Sequence, residues 1–285
     1  MRRHTDAAEF ARLVLPGMSQ EEAVNCLQLG LIDGMLKGSF EDPYLATIAP
    51  AGQEHDPVFS AIQTPPYRLI LGDPTGSVPI AERVLEPLLA DLPADLPGVL
   101  GPVDLSAEFV ERYVARHGVG HELMMSERVY QCEQVNMPTG VAGRLVRATH
   151  EHEDLLVRWW RAFRDEAVPN EPDRAEASVR RDLSASVGGL WLWEVEGEVV
   201  AFAGARGPTP NGIRIGPVYT PPEQRRNGYA GALVGSLTQH LLDEGRQLVF
   251  LFTNLANPTA NALYQRLGYR GVADRSMYDF SPREA

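Results

Sequence analysis

The order of helical and extended segments along the chain occurs twice. Apolar residues have helical spacing at 6–14 and 19–37, and Ser19 followed by Glu22 matches a capping box. Alternating or short apolar runs predict the other elements of the first half: strands at Tyr44–Ile48, Val58–Gln63, Tyr67–Leu71, Gly98–Val103 and His121–Val135, and helices at Pro79–Leu92 and Asp104–His117.

The second half repeats this order after NMPTG at 136–140, a Pro- and Gly-containing linker candidate. Glu196-Gly197-Glu198 predicts a hairpin turn between two of its strands. The predicted elements are strands at Arg144–Ala148, Leu190–Val195, Val199–Ala205, Gly212–Thr220, Gln247–Thr253 and Arg270–Phe280, and helices at Asp154–Glu166, Pro172–Ala185, 228–243 and Asn257–Leu267.

Two halves of equal length with one element order indicate a duplicated unit. The segments AEFVERYVARHG (107–118) and TANALYQRLG (259–268) support this, because each places a tyrosine in mid-helix and ends at glycine. At 285 residues and 44% hydrophobic composition, the chain has enough apolar material for two cores. We therefore predict two mixed α/β domains, at residues 1–138 and 139–285.

The charge and the cysteines restrict the class of partner. Thirty-eight acidic against 26 basic side chains give a formal charge of -12, which opposes binding to nucleic acid or to an anionic membrane. Cys26 and Cys132 lie far apart without a CxxC grouping, which favours a reducing compartment over a metal site. With no signal-peptide pattern and no apolar run of about 20 residues, we expect a cytoplasmic protein.

The segment EQRRNGYAGALV (223–234) places two arginines and a glycine before an amphipathic helix. Its apolar stripe is formed by Ala230, Leu233, Val234, Leu237 and Leu241, and Gly245 follows the helix. Since the first N–H groups of a helix lack acceptors and face a positive dipole end, such a loop can bind phosphate. The alternative is an ordinary Asn-Gly turn with solvated arginines, and these twelve residues alone leave both interpretations open.

Three motifs in the second half together resemble the GCN5-related N-acetyltransferase (GNAT) family. RRNGYA (225–230) fits the acetyl-CoA motif R/Q-x-x-G-x-G/A, GPVYTPP (216–222) precedes it, and LFTNLANPTANALYQRLGY (251–269) follows it. The resemblance covers about residues 140–285. It implies two tandem GNAT-like domains, each a mostly antiparallel twisted sheet flanked by helices, with the motifs intact only in the second.

The resemblance also implies roles for individual residues. The loop amides from Arg226 through Asn227, Gly228 and Tyr229 to Ala230 would hold the coenzyme A pyrophosphate, with local charge from Arg225 and Arg226. The remaining implied coenzyme contacts are the backbone of Val218, Tyr219 and Thr220 for the pantetheine arm and acetyl carbonyl, and Asn254 and Asn257 in the third motif. Asn257 followed by Pro258 is also an ordinary helix start.

Tyr264 matches the family tyrosine that protonates the departing thiolate. The buried stripe of its helix, formed by Ala260, Leu263 and Leu267, leaves Tyr264 beside it, so packing is the alternative role. Arg226 and Asn227 stand where relatives often carry Gly-Arg, so we expect this loop to be stiffer than theirs.

The general base is not evident from the sequence. Glu194, Glu223 and Asp279 are weak candidates, and a backbone carbonyl or ordered water is the alternative. His150 and His152 form a pair without a third ligand, so we expect no metal. In the first half, Gly76 and Ser77 precede a helix without the arginine-to-alanine spacing, which predicts a degenerate domain that binds coenzyme A weakly.

The expected activity is direct acetyl transfer from acetyl-CoA to a primary amine: a small amine, an amino sugar, or a peptide or protein amine. The acidic balance favours a cationic acceptor. The alternatives are a noncatalytic acyl-CoA sensor or interaction module, and a transferase with another acyl-CoA donor or a hydroxyl acceptor. Oligomeric state is left open by the sequence, and a homodimer is compatible with it.

Overall fold

The computed structural model describes residues 1–75 and 81–282. Its strands are β1 Arg2–His4, β2 Tyr44–Ile48, β3 Phe59–Gln63, β4 Leu69–Leu71, β5 Gly98–Pro102, β6 Gly120–Cys132, β7 Arg144–Arg147, β8 Gly189–Val195, β9 Glu198–Arg206, β10 Gly212–Tyr219, β11 Leu248–Asn254 and β12 Arg270–Ser281. Its α-helices are α1 Ala7–Met18, α2 Glu22–Leu36, α3 Glu86–Asp91, α4 Val103–His117, α5 Glu153–Ala167, α6 Ala175–Leu183, α7 Tyr229–Asp243 and α8 Pro258–Arg266.

The chain divides into two units. The first contains Met1–Val129, Asn254–Ala256 and Val272–Ala285, and the second contains Tyr130–Thr253 and Asn257–Gly271. The predicted boundary between residues 138 and 139 lies nine residues after the break of this division between Val129 and Tyr130. The larger difference is that most of β12, which follows the second unit along the chain, belongs to the sheet of the first.

The first unit is built on the strand order β1-β2-β3-β4-β5-β12. Neighbouring strands are antiparallel except β4 and β5, which are parallel. One apolar cluster includes Leu88, Phe109 and Tyr113 from α3 and α4, and another includes Phe10 and Ile32 from α1 and α2. Helices therefore supply two separate cores to this sheet.

The second unit repeats the pattern with the order β7-β8-β9-β10-β11, in which only β10 and β11 are parallel. One core packs Leu233 and Leu237 of α7 against Ile213 and Ile215 of β10. The other core packs α5 and α6 against strand residues that include Phe202. The predicted mixed α/β fold and the repeated element order are therefore confirmed.

The hairpin turn between β8 and β9 forms where the sequence predicted it. Val195 and Glu198 are register partners, so the loop has two residues, Glu196 with a φ of 50° and Gly197 with a φ of 87°. Both lie in the left-handed region that the tightest hairpin turns require.

Two local expectations in the first unit are wrong. The capping box at Ser19 does not form, because α1 continues to Met18 and Ser19 takes a helical backbone conformation in the 3₁₀ turn Ser19–Glu21. Asp6 is instead the cap of α1, since its carboxylate accepts from the amides of Ala8 and Glu9. Strand β1 was not predicted, because three polar residues carry no apolar pattern.

The helix predicted from Pro79 to Leu92 can be followed only from residue 81. It consists of one π-helical turn, Ala81–Leu85, and then α3. Gly76 and Ser77 lie outside the described residues, so their predicted place before the helix stays a prediction.

Candidate coenzyme and acceptor site

Strands β10 and β11 pair only at the start of β10, among the residues that the structure describes. Gly212, Ile213 and Arg214 are the residues of β10 in register with β11, whereas β10 continues to Tyr219. Antiparallel pairing with β9 is interrupted by an irregularity between Ile215 and Val218. The edge of β10 towards β11 is therefore free from Ile215 onward, which suits it for backbone hydrogen bonds to an extended ligand.

A buried hydroxyl lies at the end of this free edge. The Oγ1 atom of Thr220 has no hydrogen-bond partner among the described residues. Leaving a buried hydroxyl unsatisfied costs about 1–3 kcal/mol. A ligand that lies along Val218, Tyr219 and Thr220 could satisfy it, so the predicted pantetheine position fits the strand.

The loop after β10 leads into the N-terminus of α7. Its first helical hydrogen bond runs from the amide of Ala232 to the carbonyl of Gly228 over 3.0 Å, so the amides of Tyr229 and Ala230 have no acceptor within the helix. Gly228 is the N-cap and, having no side chain, leaves these amides uncapped. The orphan donors and the dipole are those of an anion site.

Two residues of this loop have left-handed backbones. Gly228 has a φ of 83°, and a Cβ added there would lie 3.0 Å from Cγ2 of Val141. Arg226 has a φ of 69°, which is strained for a residue with a side chain. This conformation favours glycine, which relatives often carry at the position of Arg226. The arginine side chain therefore restricts the loop backbone and adds strain, in line with the stiffer loop expected from the sequence.

The charge of Arg225 is largely used within the protein. Its Nη2 atom donates to both carboxylate oxygens of Glu166, at 2.9 and 2.6 Å, and its Nε atom donates to the carbonyl of Thr220. The guanidinium also lies 5.8 Å from the ring centroid of Tyr219. Arg225 therefore connects the start of the loop at Thr220 to α5. Arg225, Arg226 and Asn227 are all exposed.

Glu166 is a residue that the sequence did not single out. It lies 59 positions before Arg225, in α5. The apolar pattern of this helix predicts which face is buried but gives no partner for its polar residues. No short-range signal could have identified the pair, because a surface carboxylate in the last turn of a helix is ordinary. The described side chain of Asn227 donates to the carbonyl of Gln224 and so stays within the loop.

Tyr264 is more buried than its helical pattern predicted. It is 8% exposed and is the most buried residue of α8, with its ring near those of Tyr130 and Tyr269. The placement beside the stripe was wrong because neighbouring tyrosines, and not only Leu263 and Leu267, enclose it. Burial raises its pKa to about 12, so the phenol is protonated at neutral pH.

The hydroxyl of Tyr264 makes no hydrogen bond within the part of the chain that the structure describes. By contrast, the hydroxyl of Tyr130 accepts from Gln265 and donates to Asn261, and that of Tyr269 is bonded to Thr238. In this group of tyrosines, Tyr264 has its proton available for another acceptor.

The two asparagines of the third motif have structural roles. The side chain of Asn257 accepts from the amide of Ala260 at 3.0 Å and caps α8. The side chain of Asn254 accepts from the amide of Ala256 at 2.8 Å. In each case the oxygen accepts one hydrogen bond within the protein, and since a carboxamide oxygen can accept a second, this bond does not exclude a contact with a coenzyme.

Two of the three base candidates are held in ion pairs. Glu194 on β8 accepts from Arg144, and Asp279 on β12 accepts from Arg68. Glu223 is exposed in the turn before α7. Both carboxylates are thus engaged by guanidinium groups, and none of the three candidates is an evident base.

Metal binding has no support in the described residues, where no group of three or more His, Cys, Asp or Glu side chains could hold an ion. His152 instead accepts from the amide of Thr149 at 3.1 Å and so completes a local cap. Residues 1–75 and 81–282 contain no helix of sufficient length and apolar character to span a bilayer.

Part of the chain resembles known proteins in sequence. Residues 153–269 match the sequence profile of the Acetyltransferase (GNAT) family. A curated mycothiol acetyltransferase of Paenarthrobacter aurescens (strain TC1) is 30% identical over 143 residues, which are 47% of this chain. The chain spans 43% of the length of that relative.

Solved structures share the fold at low identity. A Drosophila protein has a TM-score of 0.74 at 13% identity, with 99% of each chain covered. A tandem GNAT protein from the clavulanic acid biosynthesis pathway has a TM-score of 0.59 at 10% identity, covering 97% of this chain and 94% of its own. These likenesses establish the tandem fold.

Proposed function

We propose that the protein transfers the acetyl group of acetyl-CoA directly to a primary amine, since residues 153–269 match the profile of the Acetyltransferase (GNAT) family. The observation that carries the proposal is the free edge of β10 next to the N-terminus of α7. One element offers backbone hydrogen bonds for the pantetheine arm and the other offers orphan amides for the pyrophosphate. A single loop connects β10 to the N-terminus of α7.

In the proposed reaction the neutral amine nitrogen attacks the thioester carbonyl carbon. The C–N bond forms, the C–S bond breaks, and the sulfur leaves with the electron pair. The amine proton passes to water or to a backbone carbonyl, since Glu194 and Asp279 are held by arginines. The backbone amides of β10 beyond Ile215 polarise the carbonyl.

Tyr264 acts in this proposal by donating its free hydroxyl to the departing sulfur. An ordinary thiol has a pKa near 8.5, whereas burial raises the pKa of Tyr264 to about 12. Complete proton transfer to a free thiolate is therefore unfavourable. The phenol contributes mainly as a hydrogen-bond donor to charge that develops on sulfur in the transition state.

The proposed partners are acetyl-CoA and an amine-bearing acceptor, and we propose a cytoplasmic location without nucleic-acid or membrane binding, consistent with the charge of -12. The relative named mycothiol acetyltransferase supports the acetyl donor. Its acceptor is not carried over, because the match covers 47% of this chain.

Mass spectrometry of an amine library incubated with protein and acetyl-CoA tests the function. We expect a mass increase of one acetyl group on at least one amine, together with free coenzyme A in equal amount. Tight acetyl-CoA binding without any acetylated product would instead support the noncatalytic sensor. Product formed only with propionyl- or longer acyl-CoA would support another donor.

A further inference from the structure

Two arginines lie side by side on the sheet of the second unit. Arg206 of β9 and Arg214 of β10 are register partners. Their strand neighbours Ala205, Ile213 and Ile215 belong to the core that packs on α7, so the two arginine side chains lie on the opposite sheet face. Like charges directly across a sheet are unfavourable and require compensation.

The compensation within the protein is incomplete around Arg206. Its Nη1 atom lies 3.9 Å from Asp182, and Nε of Arg181 donates to the same carboxylate at 2.8 Å. The Nε atom of Arg206 is buried and has no hydrogen-bond partner among the described residues. The side chain as a whole is 34% exposed, and the one carboxylate beside Nη1 lies 3.9 Å away, so the guanidinium has donors left for an acceptor from outside the protein.

Each guanidinium is also supported by an aromatic ring. Arg206 lies 5.1 Å from the ring centroid of Trp160, and Arg214 lies 5.4 Å from that of Phe252. Burial lowers the pKa of Arg206 to about 10; the charges of Arg214 and Arg181 lower it further, and those of Asp182 and Glu171 oppose the shift. Arg206 therefore remains charged at neutral pH.

This pair lies close to the proposed reaction centre. Arg214 is the last residue of β10 in register with β11, and Gly216 follows two residues later, about 7 Å along the strand, where that edge of β10 is free. A Cβ added at Gly216 would meet nothing within 4 Å, so the space over this residue is open. An acceptor lying over Gly216 can reach the thioester at one end and Arg214 at the other.

We propose that Arg206 and Arg214 form an anion subsite, and that the acceptor is an amine that also carries a carboxylate or a phosphate. This proposal rests on the proposed acetyl transfer and specifies its acceptor. The net charge of -12 attracts the ammonium group over long distances. The two arginines then fix the opposite end of the acceptor, so a zwitterion is preferred over a simple cation.

The test compares acceptors that differ only in the anionic group: benzylamine, 4-(aminomethyl)benzoate and 4-(aminomethyl)phenyl phosphate. For the wild-type protein we expect kcat/KM for at least one anionic acceptor to exceed that for benzylamine by about tenfold, as for a hydrogen bond to a charged group. The acceptor with the larger increase in kcat/KM shows whether the subsite prefers a carboxylate or a phosphate.

Variants assign the preference to the arginines. Arg214→Gln and Arg206→Gln should each remove most of the preference, mainly through KM for the anionic acceptor, with benzylamine turnover retained. Arg180→Gln is the matched control, because Arg180 is an exposed arginine of the same unit that pairs with Glu153. Thermal unfolding checks that each variant is folded, and Arg214→Lys, which keeps the charge, should restore part of the preference.

Equal kcat/KM for neutral and anionic acceptors in the wild-type protein would overturn the subsite while leaving acetyl transfer intact. An equal loss for all acceptors in Arg214→Gln would also overturn it, because a structural role affects every substrate. If acetyl-CoA binds but none of these amines, nor any in the library, is acetylated, the proposed function fails and the subsite fails with it.

Discussion

The segments after the fourth strand of each unit occupy the same place in the strand order and differ in chemistry. In the second unit, the segment after β10 presents free strand edge and helix amides. In the first unit, the amide of Gly72 after β4 donates to Ser60 and that of Thr75 donates to Val58, both at under 3 Å. The backbone after β4 is thus held beside β3 as far as Thr75.

The spacing of the parallel strand pair also differs between the two units. A Cβ added at Gly101 of β5 would lie 2.8 Å from Cβ of Leu71, so β4 and β5 stay close where β10 and β11 separate. Asp73 next to this point is ion-paired with Arg275 of β12. One topology can therefore hold a ligand site or close it, depending on whether local hydrogen bonds and ion pairs use the available groups.

The largest expected effect comes from Gly228→Trp. A side chain there would require a left-handed backbone and would meet Val141, so we expect loss of acetyl-CoA binding by at least about 100-fold, as for blocked anion contacts. Gly245→Trp is the control, because Gly245 has a φ of 93° with open space and lies at the other end of α7.

Isothermal titration should show one acetyl-CoA per chain for the wild-type protein and none for Gly228→Trp. A stoichiometry of two for the wild-type protein, with one site remaining in Gly228→Trp, would show that the first unit binds coenzyme A. A stoichiometry of one that is retained in Gly228→Trp would contradict the predicted pyrophosphate loop. Coenzyme density in both units of a soaked crystal would have the same meaning and would contradict the predicted degenerate domain.

The second prediction compares the mid-helix tyrosines of the two units. Tyr264→Phe should lower kcat about 10- to 100-fold, with unchanged acetyl-CoA affinity, since it removes a donor to the leaving sulfur. The hydroxyl of Tyr113 instead donates to the carbonyl of Pro93 at 2.7 Å and accepts from the amide of Leu96.

Tyr113→Phe should therefore lower the free energy of unfolding by about 1–3 kcal/mol and leave kcat unchanged. Chemical denaturation and steady-state kinetics on both variants separate the two effects. Unchanged turnover in Tyr264→Phe would remove Tyr264 from the mechanism.

The raised pKa of Tyr264 also predicts a pH dependence. Its folded pKa is about 12 and its unfolded pKa about 10, so the phenol's contribution to stability is complete below pH 10 and declines as pH rises towards 12. The alkaline loss of stability should be smaller in Tyr264→Phe. Denaturation midpoints measured between pH 9 and 11 check the difference, and identical profiles would contradict the burial-induced shift.

Glu166→Gln, a change in the second unit, should have a smaller effect on the KM for acetyl-CoA. The pair with Arg225 is about half exposed, and such pairs contribute about 0–1 kcal/mol, so KM for acetyl-CoA should rise at most about fivefold. High salt should reduce the difference from the wild-type protein. A rise in KM for the acceptor alone would show that the pair does not position the coenzyme loop.

Arg226→Gly is expected to change least. It relieves a φ of 69° while giving the unfolded chain more freedom, so the free energy of unfolding should change by less than about 1 kcal/mol. Acetyl-CoA affinity should be retained, because the backbone supplies the contacts. A large loss of affinity would show that the Arg226 side chain binds phosphate.

Sequence patterns predicted the long elements of both units well, since α7 and β11 have strong periodicity and β8 and β9 flank a clear turn. They could not predict β1, which is too short and polar, or the pairing of Arg225 with Glu166 and of Arg206 with Arg214. Those pairs depend on register and on helix placement, which are long-range properties. The burial of Tyr264 was missed for the same reason, because its neighbours Tyr130 and Tyr269 come from other elements.

The membership of β12 in the sheet of the first unit has a consequence for synthesis on the ribosome. Met277 of β12 pairs with Leu100 of β5, so the first unit lacks a strand until residues 130–271 have been translated. Until then β5 presents an unpaired edge, which is a site for wrong pairing with another chain. The N-terminal half therefore cannot complete its own folding first, although it is made first.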